Sequence, residues 1–274
     1  MPAGAVPRDR FVAVSGLRLR YRDWGGSGPP LLALHGSAAH AHWWDPVAPY
    51  LAGHVRVLAL DWRGHGRSTW PEPPAYRTED FVADLLGVIE RLRLDRVIVA
   101  GHSMGGQAAL AFAAWHPDRL ARLVVIDAKP RANLRRLREL RRRPARSQVE
   151  FRSREAALRR FRLRPPETTA SPGVLRAVGA RGIGRRASGR WAYRFDPACD
   201  RTRLPVDAWP LLGRIAVPTL IVRGEHSAIL RRDVAERMTK AIPSARLEEI
   251  PGAHHHVSLD TPRALAECLL AWLG

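Results

Sequence analysis

Short apolar runs that recur at regular intervals constrain the fold of this 274-residue chain more than any other feature. Six of them have the length and composition of buried parallel strands, and longer segments with helical spacing lie between them. These runs are residues 31–35, 55–60, 96–100, 123–127, 219–223 and 247–250. This alternation is typical of an α/β fold, so we expect a mostly parallel central sheet with helices on both faces.

Three further elements complete the expected core. Residues 11–14 and 17–21 are two short strand-like runs joined near Ser15 and Gly16, which predicts an antiparallel hairpin at the start of the sheet. Residues 78–93 carry an apolar stripe at helical spacing. Near the end of the chain, Thr261 precedes Pro262, which predicts that the threonine side chain caps the last helix.

The alternation stops between residues 130 and 210. This segment is rich in arginine, has helical spacing at Leu134, Leu137 and Leu140, and then carries several prolines and glycines between residues 165 and 184. We interpret it as a mainly helical cap of residues 130–210. The α/β core would then consist of residues 1–129 and 211–274.

The positive charge of the chain is concentrated in the same segment. The net charge is +19, and residues 129–214 contain 24 basic and 7 acidic residues. Lys129 and Lys240 are the only lysines, and so strong an arginine bias can arise from coding composition alone. The pattern therefore favours a solvated basic surface, and no specific nucleic acid is expected. A polyanion partner would instead show strongly salt-dependent binding.

Composition argues against several other classes of protein. No stretch approaches the roughly 20 apolar residues of a membrane span, and residues 1–10 lack the apolar block of a secretory signal, so we expect a cytoplasmic protein. Cys199 and Cys268 are too few for a disulfide framework and do not have metal-ligand spacing. We expect neither a cofactor nor a metal ion.

A G-x-S-x-G motif at residues 101–105 supplies the strongest functional signal. It lies between an apolar strand pattern and a helical pattern, and a serine at such a turn needs a strained backbone. This bend has no room for side chains two positions before and after the serine, and Gly101 and Gly105 meet that requirement because glycine has none. The start of the following helix favours developing negative charge, so Ser103 is the predicted nucleophile.

Together with two other motifs, this turn resembles the α/β-hydrolase superfamily over residues 11–127 and 215–274. The two motifs are H-G-S at residues 35–37 and D-x-R-G-x-G-x-S at residues 61–68. The resemblance implies that the backbone N–H groups of Ser37 and Met104 form the oxyanion hole, each contributing about 3 kcal/mol. His35 and Asp61 are expected to hold turns, and Arg63 and His65 are expected to have no direct contact with substrate.

The resemblance also implies a general base in the loop at residues 251–257, which reads P-G-A-H-H-H-V. Alignment with the family pattern assigns this role to His255, with His254 as the alternative. A metal-binding tract is the competing interpretation of the three histidines. They are consecutive and lack partners at ligand spacing, which disfavours that interpretation.

The acid of the triad is where the chain departs from the family pattern. Both positions that normally carry it after the seventh strand lack a carboxylate, because they are Ser227 and Ala228. Some members place the acid after the sixth strand instead, and Asp127, 24 residues beyond Ser103, fits that position. Asp127 is the favoured acid. Glu225 and the absence of any acid, including an engineered Asp-to-Ala change at Ala228, are the alternatives.

These residues predict a serine hydrolase that cleaves a carboxylic ester or lactone through an acyl-enzyme. Other acyl or carbon–carbon bond hydrolysis on the same fold is the alternative, as is a catalytically impaired binding protein. A substrate that is apolar or aromatic in part is expected, because His42, Trp43, Trp44 and Trp70 lie on loops near the predicted site. Packing is an equally good explanation for Trp43 and Trp44. The oligomeric state stays open.

Overall fold

A computed structural model describes residues 6–142 and 148–274 of the chain. The strands of its main sheet are β1 (Arg8–Val14), β2 (Leu17–Asp23), β3 (Pro30–Leu34), β4 (Arg56–Leu60), β5 (Val97–His102), β6 (Leu120–Ile126), β10 (Thr219–Gly224) and β11 (Ala245–Ile250). They lie in the order β1-β2-β4-β3-β5-β6-β10-β11. All six predicted parallel strands and both strands of the predicted hairpin are present, with boundaries that differ by a few residues.

The direction of the strands agrees with the prediction. β1 pairs with β2 and β2 pairs with β4 in antiparallel fashion, and every other neighbouring pair in this sheet is parallel. At the tip of the hairpin, Ser15 and Gly16 have φ values of 49° and 79°. Two successive residues with positive φ match the twist of a tight antiparallel hairpin, which explains why this turn contains a glycine.

The central strands are apolar throughout because both of their faces are covered. In β3, Leu32 and Leu34 pack into one hydrophobic cluster, while Leu31 and Ala33 pack into a second cluster on the opposite face. Side chains alternate between the two faces of a strand, so a continuous apolar run is what a sheet with helices on both sides requires.

Ten α-helices are present in the described residues. They are α1 (Ala48–Leu51), α2 (Thr78–Arg91), α3 (Met104–Trp115), α4 (Leu134–Arg142), α5 (Arg154–Arg160), α6 (Pro172–Arg181), α7 (Pro197–Thr202), α8 (Arg232–Ala241), α9 (Val257–Asp260) and α10 (Pro262–Leu273). The helix predicted at residues 78–93 is α2. None of the helices in the described part of the chain is long and apolar enough to cross a membrane.

The prediction for the last helix is only partly correct. Thr261 occupies the position before α10 and Pro262 is its first residue, but the threonine side chain makes no capping hydrogen bond. Thr261 has φ −139° and ψ 60°, because the chain enters it directly from α9 rather than from an extended segment. This backbone turns the hydroxyl away from the helix amides, and the hydroxyl has no partner among the described residues.

The segment between β6 and β10 contains more regular structure than its sequence predicts. In addition to α4 to α7, it forms a small antiparallel sheet in the order β7-β9-β8, made of β7 (Glu150–Phe151), β8 (Ile183–Arg185) and β9 (Trp191–Tyr193). Strands of two or three residues are too short to show periodicity.

α6 lies in the stretch predicted to be loose, and the Ser171 hydroxyl caps it by accepting the N–H of Val174. Leu137 is buried, whereas the side chains of Leu134 and Leu140 lie outside the described set. The division into core and cap stays a prediction.

Candidate active site

The order of the strands creates a crevice at the carboxyl ends of β3 and β5. β3 lies between β4 and β5, and the chain continues from β3 to β4 on one side before returning to β5 on the other. The loops that follow β3 and β5 therefore lead away in opposite directions. Open α/β sheets bind ligands at such a point, and the H-G-S loop and Ser103 both lie there.

Ser103 occupies a strained bend between β5 and α3. Its φ of 53° and ψ of −114° lie outside the regions favoured by residues with a side chain. A Cβ atom on Gly101 would lie 2.5 Å from the carbonyl oxygen of Gly105, and one on Gly105 would lie 2.8 Å from the carbonyl oxygens of Leu34 and His35. The two flanking glycines of the motif are therefore required by backbone contacts.

The ring of His255 lies between Ser103 and Asp127. His255 Nε2 is 3.1 Å from Ser103 Oγ, and His255 Nδ1 is 2.7 Å from Asp127 Oδ1. The three residues follow β5, β11 and β6, so the sheet brings together positions that are as much as 152 residues apart. Because the carboxylate only accepts hydrogen bonds, Nδ1 carries the proton and Nε2 presents a lone pair to the hydroxyl.

Two other groups hold the carboxylate of Asp127. The hydroxyl of Ser227 donates to Oδ1 over 2.6 Å, and the N–H of Gly224 donates to Oδ2 over 2.9 Å. Ser227 occupies one of the two positions where the family pattern usually has the acid. The contact between Ser227 and Asp127 was not predicted, and its one signal in the sequence is the lack of a carboxylate at positions 227 and 228.

Burial sets the protonation states of this pair. Desolvation lowers the pKa of His255, and the neighbouring His256 lowers it further, so the ring is neutral at pH 7 and can accept a proton. Desolvation raises the pKa of Asp127 to about 6, while the hydrogen bonds from Ser227 and Gly224 oppose the rise. The carboxylate is therefore mainly ionised at neutral pH.

The alternative candidates lie elsewhere. Glu225 has a side chain that is 44% exposed and accepts the N–H of Gly252. Ala228 is also exposed. The ring of His254 lies against that of His226, with 5.4 Å between the ring centroids. The structure thus brings Asp127 and His255, rather than these residues, to Ser103.

The expected oxyanion donors flank Ser103. A Cβ atom on Gly36 would lie only 3.1 Å from Ser103 Cβ, so the loop carrying Ser37 approaches the nucleophile as closely as a glycine permits. Met104 is the first residue of α3, where a backbone N–H has no acceptor within its own helix. The loop of Ser37 and the start of α3 therefore both adjoin Ser103, and the oxyanion role of the two amides stays a prediction.

The D-x-R-G-x-G-x-S loop holds the backbone around the site. Asp61 is fully buried, and its carboxylate accepts from the Arg20 guanidinium at 3.0 Å and from the N–H groups of Ala41 and Arg67. Arg63 donates twice to Asp84, each time over 2.7 Å. These contacts agree with the expectation that the motif fixes turns.

A family model described as the alpha/beta hydrolase fold matches residues 29–262 of the chain. The chain belongs to the α/β-hydrolase fold family. Its membership agrees with the mostly parallel central sheet described above.

Three related α/β-hydrolases indicate the range of activities near this chain. It is 31% identical to the esterase Rv0045c of Mycobacterium tuberculosis over 278 residues, which is 97% of this chain and 88% of the relative. It is 28% identical to 2-(acetamidomethylene)succinate hydrolase of Mesorhizobium japonicum over 95% of this chain and 94% of the relative. It is 40% identical to 2-hydroxy-6-oxo-2,4-heptadienoate hydrolase of Pseudomonas putida over 43% of this chain and 44% of the relative.

Solved structures agree with these relatives. The structure of E-2-(acetamidomethylene)succinate hydrolase superposes with a TM-score of 0.86 and 26% identity over 98% of this chain and 99% of the other. The structure of the Mycobacterium tuberculosis esterase gives a TM-score of 0.80 and 28% identity over 98% of this chain and 92% of the other. The relatives' names support a hydrolase activity for this chain and leave the type of bond open.

A cavity of about 260 Å³ in this hydrolase opens beside Ser37. Trp43 lines it, as the sequence analysis expected, together with residues of the inserted segment. The apolar and aromatic lining residues are Trp43, Phe161, Leu163, Tyr193 and Phe195, and the cationic ones are Arg160, Arg162, Arg164 and Arg194.

The other three residues expected near substrate are placed differently. Trp44 is buried and packs into one of the two main hydrophobic clusters. Trp70 lies under the Arg186 guanidinium, which is 4.3 Å from the ring centroid. His42 is held between Arg20 and Asp45. Of these aromatic residues, only Trp43 lines the cavity beside Ser37.

One group of side chains in the described residues could hold a metal ion. His102, His255 and His256 each offer a ring nitrogen, and these three nitrogens lie within 4.8 Å of one another. We call these residues the histidine cluster. His102 lies between Gly101 and Ser103, and no local sequence pattern links it to the loop at residues 251–257.

Proposed function

We propose that this α/β-hydrolase cleaves a carboxylic ester or lactone through an acyl-enzyme intermediate. Ser103 is the nucleophile, His255 the general base and Asp127 the acid that orients it. The observation that supports this most directly is the chain of two hydrogen bonds from Ser103 Oγ through His255 to Asp127, of 3.1 and 2.7 Å. It matches the geometry in which a serine hydroxyl becomes nucleophilic.

Acylation begins when Ser103 Oγ attacks the substrate carbonyl carbon and His255 Nε2 takes the hydroxyl proton. The carbonyl oxygen becomes negative, and the N–H groups of Ser37 and Met104 donate to it. Asp127 stabilises the imidazolium that forms. The intermediate then collapses, the carbon–oxygen bond to the leaving group breaks, and Nε2 returns its proton to the departing alkoxide.

Deacylation repeats these steps with water as the nucleophile. His255 Nε2 removes a proton from the water molecule as its oxygen attacks the acyl carbon. The same oxyanion donors receive the charge, and the proton on Nε2 passes to Ser103 Oγ as the ester bond to the enzyme breaks. The carboxylic acid product leaves, and the resting state of the triad is restored.

The cavity beside Ser37 suggests the kind of acyl or alcohol group that binds. Its aromatic wall favours an apolar or aromatic substituent, and its arginines accommodate a carboxylate. Arg194 is the best placed of these, because it is partly buried whereas Arg160, Arg162 and Arg164 are exposed, and because its Nε donates to the carbonyl of Ile183. Burial lowers the pKa of Arg194, and the nearby Arg67 and Arg186 lower it further, so an anion beside it would be stabilised.

Turnover of p-nitrophenyl esters tests the proposal directly. We expect hydrolysis of acetate, butyrate and benzoate esters by the unaltered chain, and loss of turnover in Ser103→Ala. A fluorophosphonate probe should label the unaltered chain and leave Ser103→Ala unlabelled. Labelling without turnover of any ester, lactone or thioester would favour a binding protein on this fold and contradict the proposal.

Carbon–carbon bond hydrolysis is the second candidate function. The relative from Pseudomonas putida is named for a 2-hydroxy-6-oxo-dienoate, which is a keto acid, and the arginines of the cavity fit the carboxylate of such a substrate. A keto-dienoate of this type therefore belongs in the same panel. A kcat/KM for it well above that of every ester would favour this candidate over the ester reaction.

A further inference from the structure

A second cavity, with a volume of about 190 Å³, lies away from the triad. Residues 66–70 line it from one side, and residues 184–194 of the segment between β6 and β10 line it from the other. In the described part of the chain its lining contains no aspartate or glutamate and none of the three triad residues. We call it the arginine cavity, because its lining includes Arg67, Arg185, Arg186 and Arg194.

Arg186 contributes a buried donor to which the protein gives no acceptor. Its side chain is partly buried, and its guanidinium carbon lies 4.3 Å from the ring centroid of Trp70, which also lines the cavity. The Nη2 atom of Arg186 is buried and has no hydrogen-bond partner among the described residues. A buried donor without an acceptor costs free energy, and an acceptor that a ligand brings into the cavity would recover this cost.

Arg194 is held in place through both its backbone and its side chain. Its N–H donates to the carbonyl of Gly182 over 2.7 Å, and its carbonyl accepts the N–H of Gly66 over 2.8 Å. Its Nε donates to the carbonyl of Ile183 over 3.2 Å. A Cβ atom on Gly184 would lie 2.7 Å from Arg194 Cζ, so the guanidinium fills the space that a side chain would need there. The fold therefore fixes the position of this cation.

The cations of the cavity lie close enough to repel one another. Burial lowers the pKa of Arg194, and repulsion from Arg67 and Arg186 lowers it further, while Asp61 opposes the change. Burial also lowers the pKa of Arg186. Arg67 is half-exposed, and the carboxylate of Asp9 lies 3.3 Å from it. An anion among these side chains would replace their mutual repulsion by attraction.

The number of cations indicates which kind of anion fits. A carboxylate has a single charge and two oxygens, whereas a phosphate group at pH 7 has a charge of about −1.5 to −2 and at least three strong acceptor oxygens. Each guanidinium can donate two parallel hydrogen bonds to phosphate oxygens. Three guanidinium groups around one small cavity therefore match a phosphate group better than a carboxylate.

We propose that the arginine cavity binds a phosphate group, as the free ion or as part of a phosphate monoester, through the guanidinium groups of Arg67, Arg186 and Arg194. Arg194 also lines the cavity beside Ser37. A phosphate group at Arg194 compensates its charge and so weakens its attraction for a carboxylate on the substrate. Phosphate should therefore inhibit hydrolysis of an ester that carries a carboxylate. This inhibition rests on the proposed function, whereas the binding of phosphate does not.

Titration calorimetry with sodium phosphate at physiological ionic strength, about 0.15 M, tests the binding. The unaltered chain should bind one phosphate ion, a result that does not depend on any variant folding. Arg186→Gln should weaken binding at least about tenfold, which corresponds to the loss of one charge-assisted hydrogen bond. The matched control is Arg181→Gln, which removes the same charge from an exposed residue outside the cavity lining and should bind phosphate like the unaltered chain.

Gly184→Ala tests the geometry of the site without a change in charge. The new Cβ atom would displace the guanidinium of Arg194, so phosphate binding should weaken several-fold. Titration of glycerol 3-phosphate into the unaltered chain distinguishes the two sources of the phosphate group. Tighter binding than that of inorganic phosphate would identify a monoester as the ligand, and weaker binding would identify the free ion.

Ester turnover in the presence of phosphate tests the inhibition. Phosphate should raise KM for an ester that carries a carboxylate and leave KM for a neutral ester of the same size nearly unchanged. Equal effects on the two esters would overturn the inhibition through Arg194.

Failure of both inorganic phosphate and glycerol 3-phosphate to bind the unaltered chain would overturn the phosphate site. Equal losses of affinity in Arg186→Gln and Arg181→Gln would also overturn it, because they would indicate a diffuse basic surface. Binding of phosphate to a chain that hydrolyses no ester would support the site and contradict the proposed function. Ester hydrolysis by a chain that binds no phosphate would support the proposed function and contradict the site.

Discussion

The main sheet with its covering helices and the segment between β6 and β10, which the sequence analysis predicts to be an insertion, use charged side chains in different ways. In the core, buried charges are paired over short distances, as in Arg20 with Asp61 at 3.0 Å and Arg63 with Asp84 at 2.7 Å. In the inserted segment most arginines are exposed, and Arg194 lies beside a cavity without a carboxylate at ion-pair distance in the described residues. Charge in the core therefore holds the loops that carry the site, whereas charge in the insertion remains available to solvent or ligand.

The largest expected effect belongs to the buried carboxylate beside the base. Asp127→Asn should lower kcat for a p-nitrophenyl ester by about 10⁴-fold, because the amide no longer holds the productive tautomer of His255. Ser227→Ala should have a much smaller effect, since the Gly224 N–H still binds the carboxylate. If Ala228→Asp instead raised the activity strongly while Asp127→Asn stayed near normal, Asp127 would not be the acid.

Removal of a paired core charge should have the next largest effect. Arg63→Ala leaves Asp84 buried without its partner and should lower the free energy of unfolding by about 3–5 kcal/mol in urea denaturation. Arg190→Ala is the matched control in the insertion, because Arg190 is exposed and its pair with Glu150 spans 3.5 Å. Its effect should stay below about 1 kcal/mol. Equal losses in the two variants would remove the contrast between core and insertion.

Acid should destabilise the core through its buried neutral histidines. Burial lowers the pKa of His35 from 6.5 to about 4, so below pH 6.5 the unfolded chain binds a proton that the folded chain does not. The free energy of unfolding should therefore fall as the pH decreases from 6.5 to 4, with a slope near 1.4 kcal/mol per pH unit for this group. Urea denaturation at several pH values should show a shallower slope for His35→Gln than for the unaltered chain, and an equal slope in the two would contradict the prediction.

The smallest expected effect concerns the unpaired charge beside the cavity. Arg194→Gln should lower kcat/KM about tenfold for an ester that carries a carboxylate, the loss of one charge-assisted hydrogen bond, and should leave a neutral ester of the same size nearly unaffected. Arg190→Gln, remote from the cavity lining, should change neither value. Equal losses for the charged and neutral esters would mean that Arg194 supports the cavity wall rather than binding an anion.

The elements of the core were predictable because each is encoded locally. Both faces of β3 and β5 are buried, so their sequences are apolar runs without alternation. The apolar stripe of α2 predicts a helix that packs one face against the core. The small sheet of β7, β8 and β9 was not predictable, since its strands of two or three residues exist only through pairing with one another. The side chain of Thr261 also departed from its prediction, because the neighbouring α9 changes the backbone conformation that capping needs.

The sequence by itself determined the bend at Ser103, because the motif lies between a strand pattern and a helix pattern and a side chain on Gly101 would meet the backbone of Gly105 within the motif. The need for Gly105 comes from the carbonyl oxygens of Leu34 and His35, so it depends on the pairing of β3 with β5. Only the tertiary structure decided that Asp127, rather than Glu225, reaches the ring of His255, and that His102 joins His256 from a different strand. These contacts connect residues more than 100 positions apart. Their distances depend on the order and register of the sheet, which no local pattern specifies.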